Sequence, residues 1–441
     1  MNPGEVLGSW SRHATPSAKE RVRLETLSAL LLAKTLAAGS KYPEVRDAIL
    51  GGSFAKDTWL PGLADLDIFL RMDVGTSEGR FREIGLAVGT EATKGFTAGK
   101  KYAQHPYTEA TVEGVRVNIV PCYAVKEKEW KSAADRSPFH VELVRKLPDE
   151  QKAQIRILKL FMAGVGVYGA EIEVQGFSGY VAEVLIIKHA DVLSVLRRFA
   201  DIRPHSRDRL FTLPDPVDRG RDLAIAISRE KLGTMVLAAR EFLRRPETAY
   251  FGQMKVRIHP SLRRSVIAVV FSHRQLSEDI LWGELRKTLR HLITHIEARG
   301  FKIARSLSAS NNSTSSAFLL IPEFTNLPVL EQRVGPPVNR RKDLEAFMSS
   351  NSRSAKLLWV DAEARVRLLQ QRRHTTLSKL LSEITSGKSE SIGASRQVAA
   401  GMRRSARVLQ GTLLVRESKS ATWLERGITE IVSDAIGTRP A

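Results

Sequence analysis

The sequence predicts a multidomain α+β protein, in which a mixed sheet with helices precedes a mostly helical middle region and two smaller α/β regions. Three observations indicate this fold class. The chain has 441 residues, which is long for one domain and suggests about three. Helical and strand patterns alternate over the first 125 residues, whereas residues 148–249 carry apolar side chains mostly at helical spacing. Strand and helix patterns alternate again beyond residue 253.

The N-terminal region is centred on a strand–turn–strand pattern. Residues 1–14 are polar and are expected to be loose, and Ser17 with Glu20 forms a capping-box pattern at the start of a helix. A strand over 45–50 leads into a glycine turn, and the apolar run 66–70 predicts a second strand. The elements that follow are a helix over 78–93 and two strands that meet at the turn Glu113-Gly114.

The remaining elements are predicted from the spacing of apolar residues and from residues that favour the start or end of a helix. Ser178 is a favourable N-cap, and Gly300 is a favourable stop for the helix before it. The predicted elements beyond residue 147 are helices over 152–163, 179–199 and 222–245, a strand over 266–271, a helix over 282–299, strands over 301–307 and 317–321, and a helix over 340–350.

Composition indicates a polyanionic partner. The net charge is +20, and Lys and Arg are dispersed along the chain, which is typical of proteins that bind nucleic acid through phosphates. A membrane association finds no support, because there is no apolar run of 18 or more residues and no signal-peptide pattern, so we expect a cytoplasmic protein. Cys122 is the one cysteine, which excludes an intramolecular disulfide and a multi-cysteine zinc site and predicts a packed thiol.

Two aspartates mark the candidate site. Asp65 and Asp67 stand two apart at the start of the predicted strand, so both side chains point to one face of the sheet. Two carboxylates about 4 Å apart repel by roughly 1 kcal/mol in water, which favours a bound cation such as Mg²⁺. The preceding Gly51-Gly52-Ser53 allows close approach to a phosphate, so the stretch predicts a metal–triphosphate site. The competing interpretation is that this short pair is an ordinary solvated strand end.

Further motifs extend this pattern along the chain. Gly52-Ser53-Phe54-Ala55 and Thr58-Trp59-Leu60 precede the aspartates, and the later motifs are Val120–Tyr123, Asp135–His140, Tyr168–Glu171, Gly176–Tyr180 and Asp215–Asp218. In this order they resemble the archaeal-type (class I) CCA-adding tRNA nucleotidyltransferases, over essentially the whole chain and more weakly beyond Tyr250. The resemblance implies a nucleotidyltransferase palm, a helical neck, and α/β body and tail domains. The implied domains are 1–145 (catalytic), 146–252 (neck), 253–315 with 385–441 (body) and 316–384 (tail, for tRNA).

The resemblance also implies an activity. The enzyme would add C, C and A to the tRNA 3′ end without a template, from CTP and ATP, with Mg²⁺ as cofactor and release of pyrophosphate. It allows a homodimer, which the family commonly forms. Its tRNA partner would be bound by acceptor-stem shape and backbone, because duplex RNA grooves permit little sequence reading.

The implied metal ligands are Asp65, Asp67 and Asn118, and two of them depart from the family. The family usually has Glu where Asp65 stands, and an acidic residue where Asn118 stands. An amide oxygen can ligate a hard cation, but it carries no charge and cannot accept the proton of the attacking hydroxyl; a general base contributes about 10²–10⁴-fold in rate. Three explanations remain open: the hydroxyl loses its proton to water, Glu109 or Glu113 assists, or the chain is a weak or inactive relative that binds tRNA.

The resemblance assigns the nucleotide to residues from several motifs. The phosphate and sugar contacts are Ser53, Lys56, Ser137, His140, Lys159 and Tyr168, with Lys56 where the family usually has Arg. Arg221 would select the base, since its fork of donors suits acceptor edges of cytosine and adenine. Taken singly, each is equally an ordinary surface or packed residue.

Basic clusters supply candidate RNA contacts. They are Arg197, Arg198, Arg203, Arg207 and Arg209, then Arg263, Arg264, Arg286, Lys287 and Arg290, then Arg340-Arg341-Lys342, Arg372-Arg373-His374 and Arg403-Arg404. Each cluster alone predicts a solvated face, whereas their number favours RNA. A terminal nucleotidyltransferase with another product is disfavoured by the motifs that follow Tyr168.

Overall fold

The computed structural model describes residues 2–102, 105–202, 211–252, 258–388 and 392–435. The chain divides into two compact units, Met1–Arg257 with Asp434–Ala441, and Ile258–Ser433. Three of the candidate RNA contacts, Arg203, Arg207 and Arg209, lie outside the described residues.

The first unit combines a sheet with two groups of helices. Its elements are α1 (Pro3–Ala14), α2 (Ala18–Gly39), β1 (Val45–Gly51), α3 (Gly52–Ala55), β2 (Asp65–Met72), α4 (Glu78–Ala92), β3 (Thr97–Tyr102), β4 (Pro106–Val112), β5 (Val115–Tyr123), α5 (Ser137–Arg145), α6 (Asp149–Gly164), α7 (Gly179–His189), α8 (Val192–Ala200) and α9 (Arg229–Arg244). Short 3₁₀ turns lie at Ala133–Arg136, Leu223–Ala226 and Thr248–Phe251.

The mixed sheet expected from the sequence is present, with strands in the order β1-β2-β5-β4-β3. β2 and β5 run parallel, and the other neighbouring pairs are antiparallel. Alternate residues of β2 and β5, such as Leu66 and Val117, are fully buried in a core that includes α2 and α4 residues. Cys122 is buried near the end of β5, and burial raises the pKa of its thiol, as expected for a packed cysteine.

The expectation of a loose N-terminus is wrong. Residues 3–14 form α1, because Asn2 accepts a hydrogen bond from the Glu5 backbone and the Glu5 carboxylate accepts one from the Asn2 backbone, closing a capping box. Val6 and Leu7 are buried in the helical core of the first unit. Burial of this apolar stripe stabilises a helix whose composition looked polar.

Two predicted helices begin or end elsewhere. The helix expected over 179–199 is two helices, because Ala190 adopts a left-handed conformation (φ 73°) and Asp191 caps α8 through the Ser194 backbone. The helix expected over 222–245 starts at Arg229. Asp222 instead caps a 3₁₀ turn, and Ser228 caps α9.

The second unit contains two antiparallel sheets with helices. Its elements are β6 (Ile267–Ser272), α10 (Glu278–Glu297), β7 (Ile303–Ser310), β8 (Ser315–Pro322), β9 (Leu330–Pro337), α11 (Arg341–Asn351), β10 (Ala355–Val360), β11 (Arg365–Gln371), α12 (Leu377–Glu383), α13 (Arg396–Ser405), β12 (Arg407–Gln410), α14 (Gly411–Ser420) and α15 (Thr422–Ile431). The sheet orders are β12-β6-β8-β7 and β10-β11-β9.

The pairing of β8 bears on the predicted start of the tail region. Residue 316, where the tail region is expected to begin, lies within β8, which pairs with both β6 and β7. A tail that begins after Pro322 would keep every strand of that sheet in the body region. The boundaries of the four regions stay a prediction. None of the described helices combines the length and apolar character needed to span a membrane.

Candidate active site

The turn between β1 and β2 holds a carboxylate against the backbone. Gly51 lies opposite Asp67 in the β1–β2 pairing, and Gly52 follows in a left-handed conformation (φ 62°). A Cβ atom added at Gly52 would lie 1.8 Å from Oδ2 of Asp67. Glycine is therefore required here twice, for its backbone conformation and for the close approach.

Asp65 and Asp67 meet different partners on β5. Arg116 donates two hydrogen bonds to Asp65, with 3.0 Å between Nε and Oδ1. Asn118 donates from Nδ2 to Oδ1 of Asp67 at 2.8 Å. Burial raises the pKa of Asp67, the hydrogen bond from Asn118 opposes this, and the charge of Asp65 adds to it.

In the part of the chain that the structure describes, only the Nδ2 end of the Asn118 amide makes a hydrogen bond. Its Oδ1 is buried and finds no hydrogen-bond partner among the described residues. A buried oxygen without a donor is costly, and it is a suitable ligand for a hard cation. Within the described ranges, no group of three or more His, Cys, Asp or Glu side chains is placed to hold a metal ion. The oxygen atoms that adjoin here belong to two carboxylates and one amide.

A buried ionic cluster lies where the sheet region meets the helices. Glu183 on α7 accepts from Lys56 Nζ at 2.8 Å, from Thr58 Oγ1 at 2.6 Å and from Lys159 Nζ at 3.1 Å. Lys159 also donates to the Thr58 carbonyl at 2.9 Å, and Tyr168 adjoins it near Gly179. All the charged members are buried. Two ammonium groups therefore share one carboxylate, which leaves a net positive charge.

The pKa values follow from this arrangement. Burial alone would raise the pKa of Glu183, but the charges of Lys56 and Lys159 and the hydrogen bonds to it outweigh burial and lower the pKa to about 2. Burial lowers the pKa of Lys159, and the charge of Glu183 opposes that shift. Burial also raises the pKa of the Tyr168 hydroxyl, so this group is a neutral donor at pH 7.

A second cluster is centred on Asp215. This buried carboxylate accepts from the Tyr180 hydroxyl at 2.8 Å and from the Val217 backbone at 3.0 Å, and it lies 3.2 Å from Nε2 of His140. The rings of His140 and Tyr180 stack with 3.8 Å between centroids. Arg221 Nη1 approaches Asp215 Oδ2 at 3.4 Å while about half of the arginine side chain stays exposed. Its guanidinium is therefore anchored at one end and open at the other.

Lys56 connects these clusters. Its Nζ lies 5.0 Å from the centroid of the Tyr180 ring, and its charge acts on the pKa of Asp67 and of His140. The predicted site residues from the strand, the helices and the loop at 215–221 thus form one continuous polar region.

Comparisons with known proteins cover the same parts of the chain. Residues 35–140 match a nucleotidyltransferase domain, 153–252 the second domain of tRNA nucleotidyltransferases, and 263–411 the C-terminal domain of CCA-adding enzymes. The chain is 33% identical to the CCA-adding enzyme of Pyrobaculum islandicum, over 86% of this chain and 92% of that one. The chain belongs to the CCA-adding enzyme family.

Other family members show similar agreement. The CCA-adding enzyme of Methanothermobacter thermautotrophicus is 32% identical, over 81% of this chain and 83% of that one. That of Haloarcula marismortui is 29% identical, over 92% of this chain and 94% of that one.

Among solved structures, a cytoplasmic RNA terminal U-transferase has a TM-score of 0.42 and 12% identity, over 55% of this chain and 94% of that one.

Within this CCA-adding enzyme framework, the two predicted serines lie on adjoining elements. Ser53 follows Gly52 in α3, and Ser137 is the first residue of α5, which packs against α3. The other predicted residues lie in the clusters described above: Asp65, Asp67, Asn118, Lys56, His140, Lys159, Tyr168 and Arg221. Their roles in binding remain a prediction.

Sequence reasoning missed several partners. Glu183, Thr58, Asp215 and Arg116 all contact predicted residues, and none was singled out for a role. One signal was available for Glu183, because it is the one acidic residue in the otherwise apolar start of α7. An isolated carboxylate on a buried helix requires a charged partner.

Several candidate RNA contacts are engaged within the second unit. Arg263 lies 2.6 Å from the carboxylate of Glu425, and Arg372 lies 3.0 Å from Glu331. Arg373 lies 2.7 Å from Glu383. These guanidinium groups are paired with carboxylates of their own unit, so their presence in basic clusters is not by itself a measure of RNA contact.

Proposed function

We propose that this CCA-adding enzyme family member adds C, C and A to the 3′ end of tRNA, from CTP and ATP and with release of pyrophosphate. The observation that supports it best is the continuous polar region, in which paired aspartates, a net positive lysine cluster and an open arginine adjoin. Each part suits one part of a nucleotide: metal-bound phosphate, triphosphate charge and base.

Asp65, Asp67 and the amide oxygen of Asn118 would hold Mg²⁺. When bound, the ion supplies charge stabilisation to the transferring phosphoryl group. Asn118 keeps Asp67 oriented by donating to it, and Arg116 does the same for Asp65. These hydrogen bonds hold the two carboxylates in place before substrate arrives.

The lysine cluster would bind the triphosphate. Lys56 and Lys159 share the single charge of Glu183, so the buried positive charge is only partly neutralised. An anion that reaches this cluster completes the charge balance in a region poorly screened by water. Tyr168 would donate a hydrogen bond from its neutral hydroxyl, and Ser53 would donate from the turn.

Sugar and base would lie on the Asp215 side. Ser137 and His140 are the proposed sugar contacts, and the free end of Arg221 is the proposed base contact. Burial lowers the pKa of His140, so the imidazole is neutral at pH 7 and can both donate and accept. tRNA would be held mainly through its backbone, which the net charge of +20 supports, and a homodimer is part of the same proposal.

A second candidate is a tRNA-binding relative without activity. Asn118 favours it, since an amide cannot take up the proton of the attacking hydroxyl. The deciding assay is incorporation of labelled CTP and ATP into tRNA that lacks its 3′ end, with wild type and Asn118→Asp side by side. Wild-type addition of C, C and A supports the enzyme. Addition by Asn118→Asp alone supports the inactive relative, and tRNA binding without addition by either protein contradicts the proposal.

A further inference from the structure

Asn118 lies in a row of paired residues that runs across the sheet from β2 through β5 to β4. Asp67 on β2 lies opposite Asn118 on β5, and Asn118 lies opposite Glu109 on β4. Residues directly opposite in a sheet project from the same face, with Cβ atoms about 4.5–5.5 Å apart. A carboxylate therefore lies next to the position where the family carries an acidic residue and this chain carries an amide.

Glu109 is on the open face of the sheet. Its neighbours Thr108 and Ala110 are buried, whereas 26% of the Glu109 side chain is exposed. The Glu109 charge acts on Arg116, which also pairs with Asp65. Two strand spacings, about 10 Å, separate the backbones of Glu109 and Asp67, and glutamate is one methylene longer than aspartate. The two carboxylates can therefore lean toward each other over Asn118.

Glu113, the other acidic candidate, is placed differently. It lies in the turn between β4 and β5 with a left-handed backbone (φ 51°), and it is exposed. Asn118 lies three residues along β5 from Val115, about 10 Å of strand, and Glu113 lies beyond that end of the strand. Glu113 is therefore outside the row that contains Asp67, Asn118 and Glu109.

We propose that Glu109 supplies the third carboxylate of the metal–triphosphate site, in place of the acidic residue that Asn118 replaces. The proposal rests on the function proposed above. Glu109 Oε1 lies 3.6 Å from Lys101 Nζ, in a pair that is about a third exposed. Such a pair holds its side chains weakly, so rotation of Glu109 toward Asn118 Oδ1 and a bound cation meets little resistance.

The test measures cation binding directly. Mn²⁺ is titrated into the full chain with CTP present, and free Mn²⁺ is followed by its electron paramagnetic resonance signal. Glu109→Gln is expected to weaken Mn²⁺ binding about tenfold or more, a loss typical of removing a group that supports a metal site. Glu113→Gln is the matched control and is expected to bind as wild type does. Equal effects of the two substitutions would overturn the proposal.

A double substitution and a control for the ion pair sharpen the result. In the Asn118→Asp background the third carboxylate is restored, so Glu109→Gln is expected to have a much smaller effect; an undiminished effect would contradict the proposal. Lys101→Met removes the same ion pair from the other side and is expected to leave Mn²⁺ binding intact. If it weakens binding as Glu109→Gln does, Glu109 acts through the pair and the proposal fails.

The outcome is separable from that of the proposed function. Glu109-dependent Mn²⁺ binding by a chain that adds no nucleotide would refute the enzymatic proposal and support the role of Glu109. Nucleotide addition by wild type, with Mn²⁺ binding unchanged in Glu109→Gln, would support the enzymatic proposal and refute the role of Glu109.

Discussion

Glu183→Gln tests the buried cluster on which the nucleotide proposal depends. The substitution keeps the size of the side chain and removes the charge that Lys56 and Lys159 share. Two buried ammonium groups would then lack an anion, and each would have to lose its proton or draw in water. We expect a large loss of stability in the first unit and a raised KM for CTP and ATP.

The magnitude follows from the pKa of Glu183. Folding lowers that pKa from an ordinary 4.5 to about 2. At about 1.4 kcal/mol per unit, the charged carboxylate contributes about 3 kcal/mol to the free energy of unfolding at pH 7. Breaking a buried ion pair by removing one partner typically costs about 3–5 kcal/mol, which agrees.

The direction in which this stabilising contribution changes with pH also follows from the pKa of Glu183. Because the folded-state pKa is the lower one, the contribution is complete above about pH 4.5 and is lost as the pH falls toward 2. The difference in stability between wild type and Glu183→Gln is therefore expected to shrink in acid. At pH 3 about two-fifths of it should remain.

Hydrogen exchange followed by mass spectrometry is the suitable assay, because it reports opening of α6 and α7 separately from the second unit. Urea unfolding of the same proteins at pH 7 and pH 4 checks the pH dependence. Glu142→Gln, which removes an exposed partner of Lys146 on α5, is the matched control and is expected to leave exchange unchanged. Exchange in Glu183→Gln no faster than in this control, or a difference that grows in acid, would refute the reasoning.

Three further predictions concern the rest of the site. Gly52→Ala should abolish nucleotide addition in a folded protein, because its Cβ would displace Asp67, whereas Gly62→Ala, equally left-handed but with open space around it, should retain activity. Asp215→Asn should raise KM for CTP and ATP with tRNA affinity retained, since Arg221 loses its anchor; unchanged KM would count against the base-side assignment. tRNA affinity should fall about 10³–10⁵-fold between 50 and 200 mM salt if about 6–10 phosphates are contacted, and a flat salt dependence measured by filter binding would contradict backbone recognition.

Local patterns were sufficient to predict the strands and turns around the candidate site. The strand at 45–50, the glycine turn and the strand at 66–70 each have a signature within a few residues, and all are present. The turn at Glu113-Gly114 was predicted for the same reason. Such elements depend on neighbours in sequence, so sequence reasoning reaches them.

Partners at long range were not predictable in the same way. Glu183 lies 127 residues from Lys56, and Arg116 lies 51 residues from Asp65. Their contacts depend on how helices and strands pack, which periodicity does not specify. The break at Ala190 is a different failure, because an alanine in a left-handed conformation carries no glycine signal and only the Asp191 cap hints at it.

An amide at Asn118, where the resemblance implies an acidic residue, changes how the aspartate pair is held together. A carboxylate at this position would face Asp67 as a like charge, and two such groups in a poorly hydrated place repel unless a cation lies between them. The amide instead donates to Asp67 and places no second negative charge beside it. Glu109 sits one strand further out, where solvent screens its charge until a cation is bound. The chain can thus keep negative charge available to a metal while moving the like-charge repulsion away from the buried residue, which makes Asn118 compatible with an active site.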